Sequence, residues 1–506
     1  MFSRLLVLLV ISICFTNTSF ASIICQQDPS LVCSLSGNKV IIKDVAVGKA
    51  NRDINNLFGI HSLWWGVQKD LYDKNTNTIA SNVITILRDS KVAFIRNGGG
   101  ANESDWHKCI GKPADRIPQK VVDWAGPMPC IFGLEEYEAL NDKLNTSISW
   151  NLANLVGYEK KILPIDLLSK SANEEAGYIK NLAQNRTRYW ELGNELELGW
   201  TQWHADIIAQ RGLPIARSIL QADPKAVLVV PLASFKTATI TDDDAHNDYL
   251  IHQFKPVAHN FSLHLYYDNP PEGPSVTNRL QYVWKVTNML QQNGILDPGI
   301  WVTEYSRWPA GNPSMPDWGK NWYQTNDYEA VLSTADFLIG LTQIPAVKGA
   351  IWHGLRAGPW NLISINNASY NVTLMSELFK FLSPKSQYKA LETITSTDPD
   401  LNILGGYALR ATAFTETSNK NTSNTVIWVV NRSDSVKRVD FTRDVFSKSN
   451  MADTSVINMI PSINEVNSHY QTKFITTRGS LPINSGTISL TIPAQSVSVI
   501  TISVPK

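Results

Sequence analysis

Between residues 57 and 352 short apolar runs alternate with longer stretches in which apolar residues recur every three or four positions. The runs at 57–61, 92–96, 147–151, 188–192, 227–232, 261–265, 300–303 and 349–352 read as strands, several of them apolar enough to be covered on both faces. Helical spacing marks 79–89, 134–143, 173–183, 205–222, the neighbourhood of Asp248, 278–292 and 328–341, which fall between those runs. Eight strands with intervening helices predict a parallel sheet, and the count over roughly 300 residues fits a closed (β/α)8 TIM barrel better than an open doubly wound sheet. The glycines of Asn97-Gly-Gly-Gly100 lack the Gly-x-Gly-x-x-Gly spacing of an open dinucleotide-binding sheet, and no helix follows them directly.

After a helix-like segment at 374–382 the texture changes. From 385 onward Val, Ile, Thr and Ser dominate, in runs such as Thr425-Val-Ile-Trp-Val-Val-Asn431 and Gly486-Thr-Ile-Ser-Leu-Thr-Ile492 separated by polar turns, which predicts a C-terminal all-β sandwich domain. Residues 34–47 alternate apolar and polar with no helix signal, and these strands are expected to complete the same sandwich. The expected division is therefore a leader at 1–21, N-terminal strands at 22–50, the barrel at 51–383 and the sandwich at 384–506.

The leader carries Arg4, an apolar run from Leu5 to Phe15, and the small-x-small pattern Ser19-Phe-Ala21, the signature of a secretory signal peptide. That run is shorter than the ~20 residues a spanning helix needs, and no later segment is longer and apolar, so no membrane span is expected in the mature chain. A secreted or periplasmic location suits the cysteines. Four remain after Cys14 leaves with the leader, and of three connectivities the local one, Cys25 to Cys33 and Cys109 to Cys130, joins near neighbours in sequence. No metal site is expected, since none of them forms a Cys-x-x-Cys pair or stands beside clustered histidines. The 45 basic and 45 acidic side chains balance, without the basic surplus that nucleic-acid binding demands.

The chemistry is concentrated at two strand ends. In Arg188-Tyr-Trp-Glu-Leu-Gly-Asn-Glu195 an apolar run breaks at Gly193 and delivers Asn194 and Glu195 at the end of the fourth strand. Gly299-Ile-Trp-Val-Thr-Glu304 does the same at the seventh. A barrel holds functional side chains at the C-terminal ends of its strands, and cleaving a glycosidic bond needs two carboxyl groups flanking it. Glu195 and Glu304 are the candidate pair.

These strings resemble those of the clan A glycoside hydrolases. Within the clan, Trp190-Glu-Leu-Gly-Asn-Glu195, His264-Leu-Tyr-Tyr267 and Phe94-Ile-Arg-Asn-Gly-Gly-Gly100 are similar to the heparanase and β-glucuronidase family, and arabinofuranosidases and xylosidases share the layout. The resemblance implies Glu195 as acid and base, Glu304 as nucleophile, and Asn194 as partner of a sugar 2-hydroxyl. It also implies Arg96 and Tyr266 beside Glu304, with His264 and Trp352 lining the pocket, and no cofactor. In place of the glycine-rich loop that follows the nucleophile in heparanase-like enzymes, this chain has Tyr305-Ser-Arg-Trp-Pro-Ala-Gly311, which offers Arg307 as a charge partner of another kind. Trp308, Trp318, Trp322 and Tyr323 occupy the long loop after the seventh strand, where they serve either to stack on sugar rings or to pack the loop. The expected function is a secreted retaining glycosidase with a carbohydrate substrate. The alternative is a non-catalytic carbohydrate-binding protein on a glycosidase-like barrel.

Overall fold

The computed structural model describes residues 37–505 except for 49–51, 63, 74–77, 99–103, 121–125, 235–236, 238–239, 270–272, 357, 367–368, 385–386, 398–399, 401–402, 406, 417–421 and 464–469. The leader at 1–21 and the Cys25 to Cys33 pairing lie outside the described residues.

Eight parallel strands close into a barrel: β1 Gly59–Ser62, β2 Phe94–Asn97, β3 Ile148–Ala153, β4 Thr187–Leu192, β5 Val227–Pro231, β6 Asn260–Tyr267, β7 Gly299–Arg307 and β8 Val347–Trp352. Each neighbours the next in chain order, and β8 closes on β1. β6 runs two residues past the apolar stretch that announces it and β7 four. The extra residues include Tyr266 and Glu304, polar groups that the strands accommodate because they satisfy each other. The helix expected at 173–183 begins earlier, as Ile165–Leu182, with Pro164 at its N-cap and Leu168 and Ala172 turned inward. Among the described residues no helix is long and apolar enough to cross a membrane.

The C-terminal region forms one nine-stranded sheet, and the strand Lys39–Ala46 is part of it, lying between Tyr388–Ser396 and Lys437–Arg443. The sheet curls so that Val40, Phe441 and Ile488 from one end share a core with Ile427, Val429 and Ile500 from the other. Its opposite face packs on the barrel's helices. Along Thr422–Asn431, Val426, Trp428 and Val430 belong to the barrel-side core while Ile427 and Val429 fill the sandwich. Burial on both faces is why this strand reads as an unbroken apolar run.

Polar contacts lock the two parts together. Asp336, on the helix Tyr328–Thr342, receives Arg410 and Arg432 from the sheet, and Arg432 also reaches Asp268 just beyond β6. Charges removed from water on this scale need partners, and the interface supplies them reciprocally.

The long connection between β2 and β3 covers one side of the barrel mouth. Cys109 and Cys130 are bonded within it, with Cα atoms 5.1 Å apart. Arg116 ties the same segment by donating to the Cys130 carbonyl (2.7 Å) and to Glu136 (2.9 Å). Gly133 is obligatory, because a β-carbon there would meet the Cys109 carbonyl oxygen at 1.9 Å. In the chain-entropy view the bridge constrains the unfolded state by about 3 kcal/mol. Replacing both cysteines with alanine should therefore lower unfolding free energy by that amount, measured by denaturant titration with and without reductant. Reductant should then affect the parent far more than the variant.

Candidate active site

The barrel interior is built in layers. Phe94, Trp150, Tyr189 and Trp301 form an aromatic floor with Ile148, Val229 and Ile351. Trp150 stacks on Tyr189 at 5.0 Å and meets Trp301 edge-on at 4.9 Å. Directly above sits Glu191, fully buried. A buried carboxylate is costly unless its lone pairs are filled, and here they are. Arg96 Nε (2.7 Å) and Trp150 Nε1 (3.1 Å) donate to one oxygen, while the hydroxyls of Ser262 (2.8 Å) and Thr303 (2.8 Å) donate to the other.

Arg96 rises from this anchor into the uppermost layer. Its three nitrogens are divided among Glu191, Glu304 (3.0 Å) and the Asn194 side-chain oxygen (2.6 Å). Burial pulls the guanidinium toward losing its proton, but Glu191 and Glu304 outweigh burial and raise its pKa above the ordinary arginine value.

Glu304 reaches this layer because β7 is irregular. Leu263 of β6 pairs with Val302, yet His264 pairs with Glu304, so Thr303 is an extra residue on β7. Such a bulge re-aims a side chain. Thr303 points down to Glu191 and Glu304 also points inward, where strict alternation would have turned one of them outward. Glu304 Oε1 lies 3.0 Å from Arg96, and Oε2 accepts from the Tyr266 hydroxyl (2.7 Å). His353 Nδ1 stands 2.8 Å from Oε2 and His264 Nδ1 3.4 Å from it. Burial acts to raise the carboxyl pKa, but His264, His353 and Arg96 outweigh it and hold Glu304 ionised well below the usual carboxylate range.

Glu195 is presented by a turn. Gly193 adopts φ 92°, and a β-carbon there would strike Leu196 at 2.6 Å. Glu195 itself takes φ 47°, the left-handed region that costs a non-glycine residue about 1 kcal/mol or more. The turn is held by Leu198 N–H donating to the Glu195 carbonyl (2.9 Å) and Trp203 N–H donating to Leu196 (2.9 Å). The Glu195 carboxylate meets His264 Nδ1 at 2.8 Å. Burial works to lower the His264 pKa, but Glu304 and Glu195 raise it to about 9. Glu195, His264 and Glu304 each place a polar atom within 4.8 Å of the others.

Glu195, Glu304, Asn194, Arg96, His264 and Tyr266 thus come together at one mouth. Trp352 does not. It is fully buried against Tyr305 on the outer, helix-facing side of the barrel (5.7 Å between rings), because Ile351 occupies the inward position and the strand alternates. The next residue, His353, takes the place at the pocket. Trp308 packs edge-on against Tyr266 at 5.0 Å. Arg307 is turned away, pairing with Asp327 (3.1 Å) at the start of a helix. Glu197 is half-buried rather than a surface residue, and burial with the nearby charge of Glu195 pushes its carboxyl up to about 7.

Three site residues were given no role by the sequence: Glu191, which lies within the motif Trp190-Glu-Leu-Gly-Asn-Glu195, and His61 and His353, which lie in none. Glu191 was legible as a charge of inward parity within an otherwise apolar strand. His61 and His353 stand at or just past the ends of β1 and β8, where position on the barrel is the signal. Arg96 donates toward His61 Nε2 (3.4 Å), which assigns the ring proton to Nδ1, 3.6 Å from Glu304 Oε1. Burial, with Arg96, holds His61 well below the ordinary histidine value and hence neutral. His61, Glu304 and His353 could offer three ligands to a cation. The guanidinium already on Glu304 opposes a second positive charge there.

No protein-family model matches the chain, and no curated protein matches it in sequence. Solved structures share its fold at low identity. The α-L-arabinofuranosidase from Thermotoga maritima aligns with TM-score 0.74 and 16% identity, over 92% of this chain and 100% of its own. An arabinofuranosidase from Xanthomonas axonopodis pv. citri gives 0.73 and 16% over the same shares. A more distant endoxylanase from Clostridium papyrosolvens gives 0.55 and 13%, covering 92% of this chain and 99% of the other. The likeness therefore extends through both the barrel and the β domain.

Proposed function

We propose that this chain is an exported, retaining glycoside hydrolase of the clan A type. The observation that carries the reading is the closeness of its two carboxylates: oxygens of Glu195 and Glu304 lie within 4.8 Å of each other. Carboxyl groups in retaining enzymes stand about 5 to 5.5 Å apart, whereas inverting enzymes hold them roughly 6.5 to 9.5 Å apart to admit a water between them.

Glu304 attacks the anomeric carbon as Glu195 passes a proton to the departing glycosidic oxygen. The C–O bond breaks, and a glycosyl ester forms on Glu304. Glu195, now a carboxylate, takes a proton from water. The water oxygen bonds to the anomeric carbon, and Glu304 leaves with its electron pair. Arg96, Tyr266, His264 and His353 stabilise the negative charge of Glu304 before attack and again as it leaves. Asn194, fixed through its side-chain oxygen by Arg96, is the residue placed to meet a sugar 2-hydroxyl.

The structural neighbours are named as arabinofuranosidases and an endoxylanase, which supports a plant-type polysaccharide or its fragments as substrate. The engagement of Arg307 by Asp327 removes one candidate partner for a uronate carboxylate and favours a neutral sugar. Export is supported by the Cys109 to Cys130 bond, which suits an oxidising compartment.

Glu304→Gln should lower kcat on aryl glycosides on the order of 10⁴-fold. Glu195→Gln should slow substrates with poor leaving groups by roughly 10²-fold or more and spare activated ones. An unchanged rate in Glu304→Gln would sink the assignment, and saturable glycan binding without turnover by the parent would favour a binding protein instead.

His353→Gln removes one of the groups that hold Glu304 ionised. The pH at which Glu304 takes up a proton then rises, and the acidic limb of the kcat/KM profile should move to higher pH.

His264 has its pKa raised on folding, so the stability it contributes is complete below about 6.5 and is lost as pH rises through about 9. Denaturant midpoints measured between those values should fall with pH in the parent and remain flatter in His264→Gln.

A further inference from the structure

The loop after β7 departs from the mouth of the site carrying four aromatic residues, Trp308, Trp318, Trp322 and Tyr323. The three tryptophans form a connected series with Tyr266. Tyr266, whose hydroxyl is bonded to Glu304, meets Trp308 at 5.0 Å between ring centres. Trp308 meets Trp318 at 5.8 Å, and Trp318 meets Trp322 at 5.8 Å. Exposure rises outward along this path: Tyr266 is buried, Trp308 and Trp318 are half-buried, Trp322 is 40% exposed and Tyr323 is 65% exposed.

The loop is held rather than loose. Asn321 donates to the Ala310 carbonyl (2.8 Å), Ala310 N–H donates to the Gln324 side chain (2.7 Å), and the Thr325 hydroxyl donates to the Pro359 carbonyl (2.7 Å). Two neighbouring aromatic side chains kept in water on a pinned loop leave apolar surface available to a ligand. The inner part of the series packs the loop, and the outer part has faces left over. Asn321 and Gln324 interleave with the rings, and the exposed Asp317 and Lys320 beside Trp318 carry opposite charges, so the surface joins flat apolar faces to hydrogen-bonding groups with no net charge. A sugar chain, with apolar C–H faces and a rim of hydroxyls, has the complementary chemistry.

Resting on the glycosidase reading above, we propose that Trp322 and Tyr323 form an outer subsite for a polysaccharide chain, continuous with the Glu195 and Glu304 site along Trp308 and Trp318. The enzyme then acts on chains longer than the sugar being cleaved, and part of its affinity comes from sugars remote from the reacting bond. Binding energy from such remote contacts favours polymers over small aryl glycosides.

The test uses the full-length chain with Trp322→Ala and, separately, Tyr323→Ser, each checked for an unaltered melting temperature. Tyr323 is exposed enough that its variant keeps the test decisive if Trp322→Ala does not fold. In the inactive Glu304→Gln background, affinity for soluble arabinan, arabinoxylan and glucuronan is measured by calorimetry. The expected result is binding to at least one polymer by the Glu304→Gln protein, weakened about tenfold by either loop substitution. In active protein, the ratio of kcat/KM on that polymer to kcat/KM on the matching aryl glycoside should fall by about the same factor. Failure to bind any of the three polymers, or an affinity and ratio untouched by both substitutions, would overturn the subsite. Absence of aryl glycoside hydrolysis by the parent would instead overturn the glycosidase reading, and the binding measurements would still decide the subsite.

Discussion

The site depends on one buried cation. Arg96 stands in the barrel between Glu191 below and Glu304 above, and it also fixes the side chain of Asn194. A guanidinium without water must be matched by charge and by hydrogen-bond direction, and its planar fork imposes that direction on its partners. Glu191 has two hydroxyls and an indole N–H to complete it, so it acts as a fixed base for Arg96 rather than as a reacting group. Glu304 has its oxygens divided between Arg96 on one side and Tyr266 with His353 on the other, which leaves little freedom of rotation.

The two carboxylates of the mouth occupy different surroundings for a reason visible in the backbone. Glu304 lies on a strand, inside the barrel, among positive and hydrogen-donating groups. Glu195 lies past the end of its strand, on a turn that lifts it toward solvent, with about a third of its side chain accessible. His264 touches both. An arrangement of this kind separates the roles of paired carboxyl groups, because proximity alone would make them equivalent and mutually repelling.

The β domain contributes rigidity to this arrangement from a distance. Its sheet buries one face in its own core and the other against the barrel helices, and Arg410 and Arg432 engage Asp336 and Asp268 across the junction. Asp268 follows β6 directly, so the strand that carries His264 and Tyr266 is tied at its upper end to the second domain. Side-chain geometry that must hold to a fraction of an ångström is supported by elements of this stiffness.

Periodicity alone carried the architecture. Eight apolar runs separated by helical spacing specify the barrel, and the Val, Ile and Thr texture beyond 385 specifies the β domain, because strand and helix periods arise from backbone geometry that every residue obeys. The breaks at Gly193 and after Val302 likewise marked Glu195 and Glu304, since a carboxyl group ending an apolar strand has few structural explanations. Which side of the barrel a residue faces was another matter. Regular alternation places Ile351 inward, turns Trp352 outward and brings His353 to Glu304, while the bulge at Thr303 lets Glu304 point inward to meet it. His61 was recruited from a strand whose own sequence announces no chemistry, and Glu191 from the interior of the strand that ends in Asn194 and Glu195. Their function comes from closure of the barrel, which brings β1, β4 and β8 to a common centre, and from the need of one buried arginine for partners on every side.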